Sequence, residues 1–283
     1  MRILPLVPAV LLLLLFMAGP IVWSLYGSFT NAALSGPNAA NPQWIGLDNY
    51  TRLLGDPLFP KSVWLTVLFV FVSALIGQNV LGMSLALLMA RANKGLSGLI
   101  GGVVVTAWVL PEIVAAFAAY AFFTGDGTLN QLLGAVGLDG PNWLYTFPMM
   151  AVIMANIWRG TAFSMMVYRA ALDDVPPELI EAAQIDGAGP FQRLMRITLP
   201  VIKTAISTNL MLTTLQTLSV FTLIFVMTAG GPSNGSMTLP VLAYEQAFRF
   251  LDVGYGTAIA TVMLVVGALF SVVYIRLLRT GKD

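Results

Sequence analysis

The sequence has 283 residues, of which 58% are hydrophobic and only 10% are charged, with a mean hydropathy of +0.83 and a formal net charge of +1. Soluble domains carry about a quarter charged residues, so this composition indicates a membrane protein. The chain has no basic cluster of the kind that binds nucleic acid, and its lack of Cys and His excludes disulfides, metal sites built from those residues and Ser-His or Cys-His catalytic arrangements.

The first half of the chain is expected to contain three transmembrane helices, at about 6–28, 62–90 and 99–123. A helix rises about 1.5 Å per residue, so each segment can cross a hydrocarbon core about 30 Å thick. The first segment is interpreted as a retained helix. A cleaved signal peptide is the alternative, and the missing A-x-A cleavage site disfavours it. Residues 31–60 are rich in Pro, Gly, Asn and Asp, which predicts a loop outside the membrane.

The third of these segments contains a carboxylate well inside an apolar run, Glu112, directly after Pro111. An ionised side chain is costly in lipid, which leaves two interpretations open. Either Glu112 faces the interior of the protein or a wet cavity, or Pro111 bends the helix so that Glu112 reaches an interface.

The second half is expected to contain three more transmembrane helices, at about 145–168, 204–227 and 254–275. Arg159 lies near the centre of the fourth helix, where it lines a substrate path or pairs with Glu112, unless its guanidinium snorkels to an interface. The fifth helix carries polar residues on one face, which either bond a neighbouring helix or line a path for solute. They are Asn209, Thr213, Gln216 and Thr217.

Basic residues are distributed unevenly between the two sides of these helices, with ten on one side and three on the other. The ten are Arg2, Arg91, Lys94, Arg169, Arg193, Arg196, Lys203, Arg276, Arg279 and Lys282, and the three are Arg52, Lys61 and Arg249. The positive-inside rule then predicts that both termini are cytoplasmic, together with the loop at 173–200. The prediction is a single all-α membrane domain over residues 1–283, with six transmembrane helices.

The loop at 173–200 joins helices four and five and combines charge with helix signals. Pro176 and Pro177 suit a first helical turn, Gly187 suits a left-handed C-terminal stop, and Pro190 begins a second short helix. The two helices form an elbow with an apolar side and a charged side. Such an elbow either seats in a groove of a partner protein or lies on lipid headgroups, and periodicity alone leaves both open.

Within this elbow, nine residues form a spaced pattern: Glu181, Ala182, Ala183, Asp186, Gly187, Ala188, Phe191, Leu199 and Pro200. The pattern resembles the EAA, DGA, Phe and LP signature of the membrane subunits of binding-protein-dependent ATP-binding-cassette importers of the carbohydrate uptake type. Shorter stretches are also similar to that family. They are GL-NY at 46–50, WVLP at 108–111, MT-GGP at 227–232, AF at 247–248 and GY at 254–255.

The resemblance implies a multi-pass permease of a bacterial inner membrane that works with several partners. These are a second, similar permease, two cytoplasmic ATPase subunits and an extracytoplasmic solute-binding protein. A sugar or sugar-like solute would cross by alternating access as the ATPases move the elbow. The chain has no G-x-x-x-x-G-K-[ST] loop, so ATP and Mg are expected in the partner subunits, with no cofactor and no enzymatic activity in this chain.

Family positions that contact the ATPase fall on Glu181, Ala182, Ala183, Asp186, Gly187, Ala188 and Phe191. Positions that contact solute fall on Arg159, Gly160, Thr213, Thr217 and Val220, and the polar stripe adds Gln216. The chain has Ala162-Phe163 where the family usually has Pro-Phe, and Val220 is apolar, so the paired permease is expected to supply much of the solute contact.

A different class of function, an ion-coupled secondary transporter, would use Glu112 and Arg159 as a relay and would need no ATPase. A membrane-embedded enzyme has thin support, because a lone carboxylate has no partner acid, base or metal ligand. The identity of the solute does not follow from the sequence.

Overall fold

The computed structural model describes residues 7–280, which are helical apart from short connecting segments. Within this range the only β-type pairings are two isolated antiparallel bridges, between Thr30 and Trp44 and between Ala33 and Asp252. The predicted all-α class is therefore confirmed for the described residues. The described residues do not include Arg2 and Lys282, on which the predicted orientation partly rests. They also do not include position 6, where the first helix was expected to begin.

The α-helices of residues 7–280 are numbered in chain order. They are α1 Val7–Leu13, α2 Gly19–Gly27, α3 Pro37–Ala40, α4 Asp48–Gly55, α5 Leu58–Phe69, α6 Asn79–Arg91, α7 Lys94–Val109, α8 Glu112–Phe123, α9 Thr128–Ala135, α10 Trp143–Thr146, α11 Pro148–Asp173, α12 Pro177–Ile185, α13 Pro190–Arg193, α14 Leu199–Val201, α15 Lys203–Leu218, α16 Thr222–Thr228, α17 Leu239–Tyr244 and α18 Val253–Thr280. Wider π-helical segments occur at Leu14–Ala18, Val70–Gln78, Leu194–Thr198 and Glu245–Arg249, and a short 3₁₀ turn at Pro232–Asn234.

Among the described residues, four continuous helical segments are long and apolar enough to cross a membrane. They are Val10–Gly27, Leu58–Arg91, Pro148–Asp173 and Val253–Tyr274. Two further candidates are bent pairs, in which Lys94–Val109 meets Glu112–Ala135 at 106° and α15 meets α16 at 48°. The predicted number of six is reached only if each bent pair acts as one span. The helices expected at 99–123 and 204–227 therefore differ from the structure, because each is broken.

The first break falls at Leu110 and Pro111, whose backbones are extended with ψ of 135° and 138°. A residue before proline is disfavoured in helical geometry, and the proline has no N–H to continue the helix. The bend that Pro111 predicted is present, and Glu112 begins α8 directly after it.

The second break, at residues 219–221, contains neither proline nor glycine. The Ser219 and Val220 amides donate to the carbonyls of Gln216 and Thr217 at 3.3 and 3.1 Å, which tightens the last turn of α15. Phe221 then departs from helical geometry with φ of −120°. No residue type in this stretch signals a break, so sequence patterns give a continuous helix here.

Residues 7–280 divide into two compact units, one formed by 7–64 and 237–267 and the other by 65–236 and 268–280. In the first unit, the Asn49 side chain donates to the carbonyls of Ser28 and Thr30 at 2.9 and 2.8 Å. A Cβ on Gly254 would overlap the Thr30 carbonyl, so this position requires glycine. These contacts give a packing reason for the Asn of the GL-NY stretch and the Gly of the GY stretch.

The first unit also holds a cluster around Arg52, in α4. The guanidinium pairs with Asp252 at 2.6 Å and lies 4.0 Å from the centre of the Tyr255 ring. The Tyr255 hydroxyl donates to Asp56 at 2.9 Å. Together these contacts fasten α4 to the start of α18.

In the second unit, α11 packs against α6, the π-helical segment Val70–Gln78, α7 and α15. Small residues allow this close approach, since a Cβ on Gly82 of α6 would overlap Ser164 of α11, and Ala86 and Ala162 are fully buried. Small residues at such contacts are typical of helices that pack in a membrane. The second unit contains both regions described next.

Candidate functional site

A cavity of about 310 Å³ opens in the second unit, where the two helix breaks contribute to its wall. It is lined by Gln78, Trp108, Glu112, Asn156, Arg159, Gly160, Gln216, Thr217, Ser219 and Val220. Most of these residues are polar, although the chain is 58% hydrophobic. The wall therefore offers hydrogen-bond donors and acceptors together with one cationic and one anionic side chain.

Five of the six residues that the sequence predicted for a substrate path lie on this wall: Arg159, Gly160, Gln216, Thr217 and Val220. The sixth, Thr213, lies on the same helix but is buried outside the cavity lining. Arg159 and Glu112 both line the cavity, and Glu112 also follows the bend at Pro111, so the structure contains a feature of each of the two interpretations of Glu112.

Arg159 lies near the middle of α11 and is half-buried. Its Nε atom is buried without a hydrogen-bond partner among the described residues. Pairing with Glu112 was one alternative for Arg159, and none of the ion pairs within 4.0 Å among the described residues joins these two side chains. A buried donor without a partner is costly, so Arg159 has hydrogen-bonding capacity left for a bound group.

Gln78 and Gly160 lie side by side in the wall of the cavity. A Cβ on Gly160 would overlap the Gln78 side-chain amide, so only glycine lets that amide lie against α11. The Gln78 amide donates to the Asn156 carbonyl at 3.1 Å, and the Asn156 side chain donates to Ser73 at 2.9 Å. Glycine at position 160, which the family resemblance indicated, is therefore explained by the close contact with Gln78.

A buried polar network lies next to the cavity and contains Thr213. Asn209 donates to the Oδ1 atom of Asn79 at 2.8 Å and to the Ser164 hydroxyl at 2.9 Å, and the Tyr168 hydroxyl also donates to Asn79. The Asn79 side chain donates to Thr213 at 3.4 Å. This network joins α6, α11 and α15, so for Thr213 and Asn209 the polar stripe of helix five serves contact between helices.

Sequence reasoning missed several residues of the cavity wall, namely Gln78, Asn156 and Ser219, and it used Trp108 only as part of a motif. One signal was available, because Gln78 and Asn79 form an amide pair inside an otherwise apolar segment. Polar side chains in such a segment usually find partners on neighbouring helices or line a path.

The elbow is the second region that the sequence singled out. α12 ends with the Gly187 amide bonded to the Gln184 carbonyl and the Ala188 amide bonded to the Ala183 carbonyl, a Schellman motif. Gly187 has a φ of +79°, as predicted for a left-handed stop. Two short helices meeting at this glycine are thus confirmed.

The outer surface of the elbow is open. Ile185 and Phe191 are 87% and 72% exposed, and Glu181, Ala182 and Asp186 are exposed as well. Ala183 is buried and Ala188 is half-buried. Large exposed apolar residues flanked by carboxylates are typical of a protein contact surface.

Metal ligands are not grouped in either region. Across residues 7–280, no three His, Cys, Asp or Glu side chains are arranged so that they could hold a metal ion.

Comparison with family models gives a match over residues 78–280 to the binding-protein-dependent transport system inner membrane component. Among curated proteins, the sulfoquinovosyl glycerol transport system permease protein SmoG of Agrobacterium fabrum is 33% identical, over 100% of this chain and 91% of its own length. The trehalose/maltose transport system permease protein MalF of Thermococcus litoralis is 34% identical, over 85% of this chain and 81% of its own. The trehalose transport system permease protein SugA of Mycobacterium tuberculosis is 33% identical, over 95% and 86%.

Solved structures show the same fold. A chain of a bacterial alginate ABC transporter in complex with an alginate pentasaccharide-bound periplasmic protein superposes with a TM-score of 0.81 at 23% identity, over 95% of this chain and 90% of that chain. A chain of the MetNI methionine ABC transporter, in an inward-facing conformation, gives a TM-score of 0.60 at 18% identity, over 83% and 99%.

Proposed function

The chain belongs to the family of binding-protein-dependent transport system inner membrane components, and from this premise we propose that it carries a sugar or sugar derivative through the membrane as the permease subunit of an ATP-driven importer. It is a membrane permease subunit of an ABC importer. The cargo proposal follows from the relatives, whose names specify sulfoquinovosyl glycerol, trehalose and maltose.

The observation that carries the proposal is the presence, in one unit, of a polar cavity and an exposed elbow. Amide, hydroxyl and guanidinium groups on the cavity wall suit a solute rich in hydroxyl groups, because each hydroxyl both donates and accepts hydrogen bonds. The exposed elbow suits contact with ATPase subunits, whose conformational changes would move it. A transporter that takes its energy from ATP needs both.

The partners proposed for this subunit are a second permease of the same family, two ATPase subunits that hold ATP and Mg, and an extracytoplasmic solute-binding protein. The alginate transporter that shares the fold was solved with a periplasmic protein, which supports the last of these. We place the ATPase contact at Glu181, Ala182, Ala183, Asp186, Gly187, Ala188 and Phe191, and the solute path at Arg159, Gly160, Gln216, Thr217 and Val220, with Thr213 as its packing support.

Residues 1–283 are proposed to form one transmembrane domain in a bacterial inner membrane. Both termini and the elbow would face the cytoplasm, with each bent helix pair acting as one span. The apolar helices support a multi-pass arrangement, and the distribution of basic residues supports the orientation.

The test is uptake by the purified complex in proteoliposomes, with radiolabelled trehalose, maltose and sulfoquinovosyl glycerol supplied with the solute-binding protein. We expect uptake of at least one of them only when ATP is enclosed with the ATPase subunits. Uptake driven by an ion gradient without ATP would instead support the ion-coupled relay through Glu112 and Arg159. Failure to take up any of the three while ATP hydrolysis responds to the binding protein would reject the sugar assignment and keep the importer assignment.

A further inference from the structure

The N-terminus of α16 has no cap of its own. Its N-cap residue, Phe221, has no polar side chain and makes no side-chain cap bond itself. The first amides of a helix have no intrahelical acceptor, and such groups are costly where water is scarce. The break between α15 and α16 therefore needs an acceptor from elsewhere in the chain.

Glu112 provides that acceptor. Its Oε1 atom accepts a hydrogen bond from the Leu223 amide at 3.3 Å, although the two residues are 111 positions apart. Glu112 is also the first residue of α8. One carboxylate thus lies at the N-termini of two helices, where the helix dipoles favour negative charge.

The bond connects the two broken spans at the wall of the cavity. Glu112 lines the cavity, and so do Ser219 and Val220 from the break that precedes α16. The helix α16 also packs against α8, and Leu223 and Ile224 are almost completely buried. This packing and the Glu112 bond both join α16 to α8, and the non-helical residues 219–221 are where the backbone could absorb a displacement of the two helices.

We propose that Glu112 is a positioning residue that fastens the start of α16 to α8, so that the two helices move together and set the width of the cavity. This inference rests on the proposed function, because it assigns Glu112 a task in forming the solute path. It differs from the ion-relay hypothesis in what it requires of the side chain. To hold α16 in place, the side chain at position 112 must be long enough to reach the Leu223 amide and must carry an acceptor oxygen. An ion relay requires an ionisable group instead.

The surroundings of Glu112 favour the positioning role over the ion relay. It forms no ion pair with Arg159 among the described residues, and no other carboxylate lines the cavity in that part of the chain. A proton relay would need a second titratable acid or base within hydrogen-bond reach. The bond that Glu112 does make is to a backbone amide.

Two substitutions distinguish the effect of side-chain length at position 112 from the effect of its charge. Glu112→Gln keeps the reach and an acceptor oxygen but removes the charge. Glu112→Asp keeps the charge but is one methylene shorter. Ile113→Leu, at the exposed neighbouring residue, is the matched control.

The readouts exploit the absence of cysteine, so that introduced thiols are the only ones in this chain. Spin labels at Phe117→Cys of α8 and Val226→Cys of α16 report the separation of the two helices in the assembled complex in lipid nanodiscs. In a separate background, Gln216→Cys reports the reactivity of the cavity wall toward the small cationic reagent 2-aminoethyl methanethiosulfonate.

The proposal predicts a narrow distribution of label distances, and a thiol reactivity within about threefold of the parent, for Glu112→Gln and for the control. Glu112→Asp should broaden the label distances and change the reactivity by about tenfold, as expected for loss of one hydrogen bond to the Leu223 amide. Unchanged label distance and reactivity in Glu112→Asp would overturn it. So would equal disturbance in Glu112→Gln, since that result requires the charge. Neither readout depends on uptake, so a complex that imports none of the tested sugars would reject the cargo proposal without deciding this one.

Discussion

The elbow and the cavity use polar residues in opposite ways. The elbow presents its motif to the outside, with Ile185 and Phe191 exposed beside carboxylates. The cavity region contains buried polar groups, several of which bond to neighbouring helices, as the side-chain amide nitrogens of Asn209 and Gln78 illustrate. The elbow is shaped by its own short sequence, whereas the cavity depends on how several helices pack. Substitutions at the elbow should therefore alter coupling and spare stability, while substitutions around the cavity should alter stability or affinity.

The largest expected effect is on stability, at Asn209. Replacing Asn209 with Leu removes the donor shared by Asn79 and Ser164 in a fully buried site. Loss of one buried hydrogen-bond partner costs about 1–3 kcal/mol, and this substitution removes two bonds at once. We expect a lower midpoint of thermal unfolding in detergent, measured against Thr208→Ala on the exposed side of the same helix. An unchanged midpoint would mean that the network does not hold these helices together.

A smaller effect, on solute affinity, is expected where Gly160 contacts Gln78 in the cavity wall. Gly160→Ala pushes the Gln78 amide away from α11, and we expect the sugar concentration for half-maximal uptake to rise about tenfold, the equivalent of about 1.4 kcal/mol. The double variant Gly160→Ala/Gln78→Ala makes room for the new methyl group, so its effect should be less than the sum of the two single ones.

The control for that experiment is Gly102→Ala, at a helical glycine whose added methyl group meets nothing within 4 Å. If Gly160→Ala behaved like this control, the close contact with Gln78 would not matter for solute.

A still smaller change is expected from Arg159→Gln, which shortens the side chain and removes its charge while keeping donor groups. Because Nε of Arg159 has no partner in the described residues, we expect weaker solute binding, by about fivefold, without loss of ATP hydrolysis. Arg91→Gln, at an exposed position in the last turn of α6, should leave uptake unchanged. Equal affinity in Arg159→Gln and Arg91→Gln would remove Arg159 from the solute path.

The smallest effect on stability is expected at the elbow. Ile185→Ser changes a residue that is 87% exposed, so the free energy of unfolding should change by less than about 0.5 kcal/mol. The same variant should reduce binding of the ATPase subunits, which copurification can measure. A clear drop in the unfolding midpoint would show that Ile185 supports the fold of this chain.

The same contrast explains how much the sequence could predict. The helix stop at Gly187 and the helix starts at Pro177 and Pro190 were predictable, because each depends on the backbone preference of one residue. The bend at Pro111 was predictable for the same reason. Arg159 and Glu112 could be selected because charge is rare in an apolar segment.

Other features depend on contacts between residues far apart in the sequence, which no local sequence pattern predicts. The break at residues 219–221 contains no helix-breaking residue, and its amide at Leu223 is satisfied by a carboxylate 111 positions away. Gln78 reaches the cavity because a glycine on another helix leaves room for it. Thr213 and Thr217 fall on one helical face. Thr213 belongs to the buried network and Thr217 lines the cavity, and this difference depends on how α6 and α11 pack.

The central claim is that the elbow transmits the work of the ATPases and the cavity carries the solute. The most direct measurement is the ratio of sugar imported to ATP hydrolysed in proteoliposomes for Gly187→Val, compared with Gly189→Val. An added Cβ meets nothing within 4 Å at either glycine, but only Gly187 has a positive φ, so only Gly187→Val should strain the elbow. We predict continued ATP hydrolysis with a sharply lower ratio in Gly187→Val and a normal ratio in Gly189→Val. A normal ratio in Gly187→Val would contradict the account.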